Sequence, residues 1–169
     1  MDDFPIIPGS NIKNSVVYYI DSNKIHQHIR VNDIFTNKIS VVFGGPAPFS
    51  KLDTEHAELY ERFAQQLLDQ GVEQVVAIYC QDAFVCKKFQ EEIVTKAGTN
   101  NVKYYADGDG FFTNEHGIGI DFTCHGLSLR SARWCAVIDN VEIVWVASDE
   151  FQIIENTHPQ RVLEWLESQ

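Results

Sequence analysis

Residues 41–59 read VVFGGPAPFSKLDTEHAEL, and the fold follows from how this stretch is divided. Its first residues complete the run Ile39–Phe43 (ISVVF), which is apolar and rich in β-branched side chains. A short run of this kind, without polar alternation, is expected as a strand buried on both faces. Gly44-Gly45-Pro46 then breaks the strand. Beyond the loop, Leu59, Tyr60, Phe63, Ala64, Leu67 and Leu68 recur at helical spacing, which predicts a helix over Glu55–Gln70, with Gly71 supplying its C-cap. The loop therefore sits at a helix N-terminus, where free backbone N–H groups and the helix dipole favour an anion. Ser50 and Asp53 are the N-cap candidates, and their spacing approximates a capping box.

The alternation of strand and helix continues outward from this loop. Val75–Tyr79 (VVAIY) predicts a second buried strand, and Ala83–Lys96 a helix that buries Phe84, Phe89 and Ile93. Val102–Ala106 predicts a third strand, closed by the turn Asp107-Gly108-Asp109-Gly110. Trp134–Asp139 and Val141–Ala147 form an antiparallel hairpin turning at Asp139-Asn140. Pro159–Glu167 is a final helix with proline in its first turn. Upstream, Val16–Ile20 and Ile25–Val31 predict a short edge hairpin. Two parallel crossover units followed by a hairpin and a helix is the thioredoxin-type order, an α/β fold with a central mixed sheet flanked by helices.

Composition bounds the function. The chain has 169 residues, 44% apolar and 22% charged, enough for one globular domain over residues 1–169 with a core that needs no staples. A net charge of −11 disfavours nucleic acid or an anionic membrane surface as partner, since both would repel it. The N-terminal MDDFPIIPGS lacks an apolar signal region, and no stretch approaches the roughly 18 apolar residues of a membrane span. Cys80, Cys86, Cys124 and Cys135 include neither a CxxC pair nor zinc-ribbon spacing. A reducing, cytoplasmic setting is expected from these features. Asp107-Gly108-Asp109-Gly110 lacks the other ligands of a calcium loop, and His26 with His28 lacks a third metal ligand. No metal or cofactor is expected, and Trp145 and Trp165 are assigned to core packing.

The motifs also carry a family resemblance. Phe43-Gly44-x-Pro46-x-x-Phe49-Ser50, followed by His56, resembles the active-site loop FGxPGAFTPxCSxxH of the type-five (type II, atypical) peroxiredoxins of the redoxin superfamily. Val31-Asn32-Asp33-Ile34-Phe35 is similar to the family's stretch before its central strand, and Gln81-Asp82-Ala83-Phe84-Val85 to its VNDxFV. Ala106-Asp107-Gly108 resembles its ADxxG, and Leu129-Arg130-Ser131-Ala132-Arg133-Trp134 its RSxR-aromatic segment. Together these matches cover nearly the whole chain in order.

The resemblance implies a thiolate attacking the O–O bond of a peroxide, with a hydroxyl holding the peroxide, a proline shielding the thiolate and an arginine stabilising charge. Carried over residue by residue, it assigns Pro46, Ser50 and Arg133 to the proline, hydroxyl and arginine. The cysteine has no counterpart. Counting forward from Phe49 reaches Asp53, and counting back from His56 reaches Leu52, because the loop is one residue shorter than the family's. Pro46-Ala47-Pro48 in place of Pro-Gly-Ala also stiffens the loop. A carboxylate cannot form a sulfenic acid, so Asp53 is expected to mimic the anionic thiolate by pairing with Arg133. Of the cysteines, Cys80 at a strand end and Cys124 beside His125 are the candidates for a displaced nucleophile. Cys86 and Cys135 are expected to be packed.

Three function classes follow: a non-catalytic peroxiredoxin-like protein used for binding, sensing or redox homeostasis; a thiol peroxidase with a displaced cysteine; and an enzyme using Asp53 as base. The resemblance further implies a homodimer and a small peroxide or anion as ligand.

Overall fold

The computed structural model describes residues 4–169; Met1–Asp3, the acidic beginning of the segment read above for a signal region, lie outside the described residues. The elements are β1 (Val16–Ile20), β2 (His26–Arg30), α1 (Val31–Phe35), β3 (Ile39–Gly44), α2 (Lys51–Asp69), β4 (Gln74–Tyr79) and α3 (Ala83–Ala97). They continue with β5 (Val102–Ala106), α4 (Phe111–Glu115), β6 (Gly119–Asp121), β7 (Leu129–Ser131), β8 (Arg133–Asp139), β9 (Glu142–Asp149) and α5 (Pro159–Glu167).

Seven strands form one sheet in the order β2-β1-β5-β4-β3-β8-β9, and β6 and β7 pair separately. β3, β4 and β5 run parallel, while β8 lies antiparallel along β3 from Ile39↔Asp139 to Gly44↔Trp134. The sheet is therefore mixed, as the motif order predicts.

Period-two alternation along the central strands divides the core into two layers. Val41 and Phe43 of β3, Ala77 and Tyr79 of β4, and Cys135 and Val137 of β8 pack with Tyr60, Leu67, Phe89, Ile93, Val162 and Leu163 from α2, α3 and α5. Val42, Val76, Ile78, Trp134 and Ala136 face the opposite layer, covered by Ile34 and Phe35 of α1, Phe112 of α4, and Ile6 and Ile12 of the N-terminal segment. Strands buried on both faces cannot show a polar alternation, which is why they read as continuous apolar runs.

Several boundaries differ from the sequence reading. Helix α2 begins at Lys51, four residues before Glu55, because Ser50 caps it and its first turn lacks the apolar period that marks the rest. Gly71 follows the Gln70 C-cap with φ of 96°, a left-handed residue in the place expected for glycine. Val141 lies in the β8–β9 turn, with φ of 66° beside Asn140 at 47°, so β9 starts at Glu142. Phe84 is 66% exposed, contrary to its assignment as a core residue. It occupies the first turn of α3, outside the helix's buried stripe, and its ring lies 5.6 Å from His26. Trp145 and Trp165 are half-buried and stack at 6.2 Å over the α5 layer. Elements α1, α4, β6 and β7 are too short to carry a legible period. Among the described residues no helix is long and apolar enough to cross a membrane.

This division of the α3 phenylalanines is measurable by urea denaturation. Phe89→Ala, at a fully buried site, is expected to cost about 3–5 kcal/mol, whereas Phe84→Ala should cost less than about 1 kcal/mol.

Candidate functional site

The central strand β3 ends at Gly44, and the loop 45–50 turns the chain into α2. Both glycines are required by close approach. A Cβ on Gly44 would collide with the Ile78 carbonyl oxygen, and one on Gly45 with the Asp53 carboxylate while touching Arg133 Nη1. Phe49 takes a left-handed backbone, φ of 73°, immediately before the N-cap.

At the N-cap, Ser50 Oγ accepts from the Asp53 N–H at 3.3 Å. Its hydroxyl also donates to Asp53 Oδ2 at 3.0 Å, and the Ala47 N–H donates to the same oxygen at 2.9 Å. A standard capping box would return the carboxylate to the Ser50 N–H. Here that N–H is bound to the Ala47 carbonyl instead, and Asp53 ties down the loop.

The other carboxylate oxygen, Asp53 Oδ1, accepts from Arg133 Nη1 at 2.5 Å, and both side chains are 1% exposed. Arg133 Nη2 donates to the Phe151 carbonyl at 2.8 Å. The neighbouring β7–β8 segment holds the loop from above: Arg130 Nη1 donates to the Pro46 carbonyl at 3.2 Å, Arg130 Nε to the Leu127 carbonyl at 2.9 Å, and Ser131 Oγ to the Gly45 carbonyl at 3.2 Å. Three residues of the loop and helix start, Gly45, Pro46 and Asp53, are thus fixed to residues eighty or more positions away in the chain.

One turn into α2, His56 is fully buried, with its ring edge-on to Phe43 and Tyr60. Its Nε2 faces the Thr157 carbonyl at 3.3 Å, so that nitrogen carries the proton. Burial, reinforced by the Arg133 charge, holds its pKa down to about 3. His56 is therefore neutral, and not a base, at ordinary pH.

The pair forms the floor of an open cleft of about 660 Å³. Pro46, Ala47, Leu52, Phe122, Leu127 and Phe151 give it apolar lining, and Ser50, Lys51, Glu55, His125 and Gln152 line it as well. The four candidates Pro46, Ser50, Asp53 and Arg133 are brought together here, and Asp53 rather than Leu52 faces Arg133. The aromatic and aliphatic wall contributed by residues 122–127 and 151 was not foreseen, because these residues lie in irregular segments without a period or motif.

Cys80 lies outside this lining, in a smaller depression with Gly110, Leu129 and Arg130, and burial raises its pKa. Cys86 and Cys135 are buried in the core, where the same cause raises the first and pushes the second up to about 12. Cys124 is exposed, between Thr123 and His125 at the cleft's border. Among the described residues no group of three or more His, Cys, Asp or Glu side chains is placed to hold a metal ion.

Comparison with known proteins agrees with this architecture. Peroxiredoxin-2D of Arabidopsis thaliana is 27% identical over 140 residues, covering 82% of this chain and 85% of the relative. Reduced Prx3 of Vibrio vulnificus in complex with hydrogen peroxide superposes with a TM-score of 0.86 at 27% identity, over 95% of this chain and 99% of that one. The chain is similar to peroxiredoxins over most of its length. Peroxiredoxin 5 of Alvinella pompejana, 21% identical, shares the fold with a TM-score of 0.84 over 98% of this chain and 100% of that one. No family model matches the chain. The peroxiredoxin form of the thioredoxin-like fold is thus established for it.

Two outcomes test the site's energetics. Asp53→Ala leaves Arg133 buried and unpaired, and is expected to cost about 3–5 kcal/mol in thermal or urea unfolding; an unchanged melting temperature would show that the pair contributes nothing. His56 supplies the second. Its folded pKa lies below that of the unfolded chain, so below pH 6.5 the unfolded state binds a proton that the fold refuses until about pH 3. The resulting contribution is fully present above that window and falls with pH inside it, by about 1.4 kcal/mol per unit. His56→Gln should flatten the acid limb of the stability curve relative to the parent protein.

Proposed function

We propose that this chain is a peroxiredoxin-like protein of one domain whose site binds without peroxide turnover, with Asp53 in the position of the family's nucleophilic cysteine. The observation that carries this reading is the buried Asp53–Arg133 pair at the start of α2. No cysteine lies between Gly44 and Tyr79. Peroxide reduction requires a group that takes an oxygen atom and is then reduced by a thiol, which a carboxylate cannot do. Pro46, Ser50 and Arg133 keep the roles of shield, hydroxyl and cation in shape, but Arg133 is already committed to a resident anion. The unpaired state of all four cysteines agrees with a reducing, cytoplasmic setting, and a homodimer is the assembly that the likeness to peroxiredoxins suggests. A role in redox homeostasis would then run through binding or sensing.

A second reading, thiol peroxidase through a displaced cysteine, is favoured by one observation: Cys124 is exposed and its neighbours Phe122 and His125 line the cleft. Cys80, the alternative, has a thiol held protonated by burial.

Intact-mass spectrometry with thiol trapping after stoichiometric hydrogen peroxide separates the two. Oxidation no faster than that of a free thiol is expected; rapid oxidation of Cys124 or Cys80 followed by turnover with dithiothreitol would sink the non-catalytic reading. In a companion experiment, Asp53→Cys is expected to gain peroxide-dependent oxidation at the new thiol while Leu52→Cys does not, because residue 53 and not residue 52 faces Arg133.

A further inference from the structure

We infer that the cleft selects an uncharged, largely apolar small molecule carrying one hydrogen-bond-accepting oxygen, such as an amide, ketone or ester, and discriminates against the corresponding anion. The inference deepens the binding role proposed above and rests on Asp53 being the resident anion of the site.

Three features argue for it. First, the cleft has the size of a small-molecule site, and Pro46, Leu52, Phe122, Leu127 and Phe151 give it a large apolar lining beside the charged Lys51 and Glu55, as expected for a site that binds largely through surface burial. Second, the charges that line it cancel, Arg133 against Asp53 and Lys51 against Glu55. Arg133 gives Nη1 to Asp53 and Nη2 to the Phe151 carbonyl, so its two terminal nitrogens are engaged inside the protein. An entering carboxylate would have to displace Asp53, or share a desolvated floor with a second negative charge. Third, α2 is nineteen residues long and begins at the cleft. The N–H groups of Lys51 and Leu52 in its first turn have no acceptor within the helix, and both residues line the cleft. Such a helix start ordinarily favours an anion, but Asp53 in the same turn already supplies that charge. What remains for a ligand is donor capacity without net positive charge, which suits a neutral acceptor oxygen seated against the helix start with its apolar body between Phe122, Leu127 and Phe151.

The test uses two probes of one shape and different charge, phenylacetamide and phenylacetate, titrated near neutral pH into the full chain and followed by calorimetry and amide chemical shifts. Phenylacetamide is expected to bind at least about tenfold more tightly than phenylacetate, with shifts at Leu52, Phe122 and Leu127. Asp53→Asn, which frees Arg133, is expected to invert this preference. Leu127→Trp, which leaves the Asp53–Arg133 pair in place, fills the cleft and is expected to abolish binding of both probes, so the inference stays testable if the Asp53 variant does not fold. Equal or tighter binding of phenylacetate by the parent protein, or no saturable binding of either probe, would overturn the inference while leaving the peroxide result unaffected. Rapid thiol oxidation in the peroxide experiment would sink the non-catalytic reading and leave the charge preference to be decided by these titrations.

Discussion

The pairing of Asp53 with Arg133 is the constraint on which the organisation of this end of the molecule depends. Two ionised groups removed from water are costly unless their geometry and remaining hydrogen bonds are well satisfied. Here the carboxylate also accepts from Ala47 N–H and Ser50 Oγ, and the guanidinium also reaches the Phe151 carbonyl. These contacts join loop 45–50, the first turn of α2, the start of β8 and the segment after β9. Gly45 follows from the same geometry, since the carboxylate occupies the space that a side chain at residue 45 would need. The proline before Ala47 and the serine at the N-cap then set a short, stiff loop in which the acid at the third helical position can serve both the helix end and the arginine.

Beneath the pair, the protein provides a layer that carries no charge at ordinary pH. His56 is forced neutral by burial and by Arg133, and the stacked rings of Phe43 and Tyr60, 4.1 Å apart, continue that layer into the core. The Thr157 carbonyl accepts from both Tyr60 Oη and His56 Nε2, so the approach to α5 is fixed by the same two side chains. A cationic histidine here would add to the arginine's charge and leave Asp53 unable to balance both. The low affinity of His56 for protons and the neutrality of the site floor are therefore two aspects of one electrostatic arrangement.

The parts of this structure that were legible in advance are those where a local rule and the global packing agree. The run Ile39–Phe43 reads as a buried strand because both of its faces are covered, and Gly71 reads as a helix end because its backbone is left-handed there. Pro46, Ser50, Asp53 and Arg133 were singled out through the resemblance to the peroxiredoxin loop, and the fold brings the four of them to one cleft. The start of α2 was read late because Lys51, Leu52 and Asp53 follow capping and electrostatics rather than hydrophobic period. Phe84 was misplaced because residue type suggested burial, whereas its place in the first turn of α3 leaves it on the solvent side against His26. The wall formed by Phe122, Leu127 and Phe151 had no sequence signal at all: these residues are close to the loop only because β6, β7 and the β8–β9 hairpin bring distant irregular segments together.

That difference between the polar floor and the apolar wall bears on how such a site changes function. A thiolate and a carboxylate present similar charge to an arginine, so an exchange between them can preserve the loop, the cap and the fold. They differ in redox capacity, because sulfur can accept an oxygen atom and later lose it, while a carboxylate can only hold a proton or a hydrogen bond. On the reading proposed here, substituting the acid removes the chemistry while keeping the electrostatic lock, and it converts a floor that would cycle between charge states into one that is permanently balanced. The specificity of the site then passes from the polar groups at its base to the side chains of its wall. Residues 122–127 and 151–152, which contribute little to the sheet, would become the part of the molecule that determines what is bound.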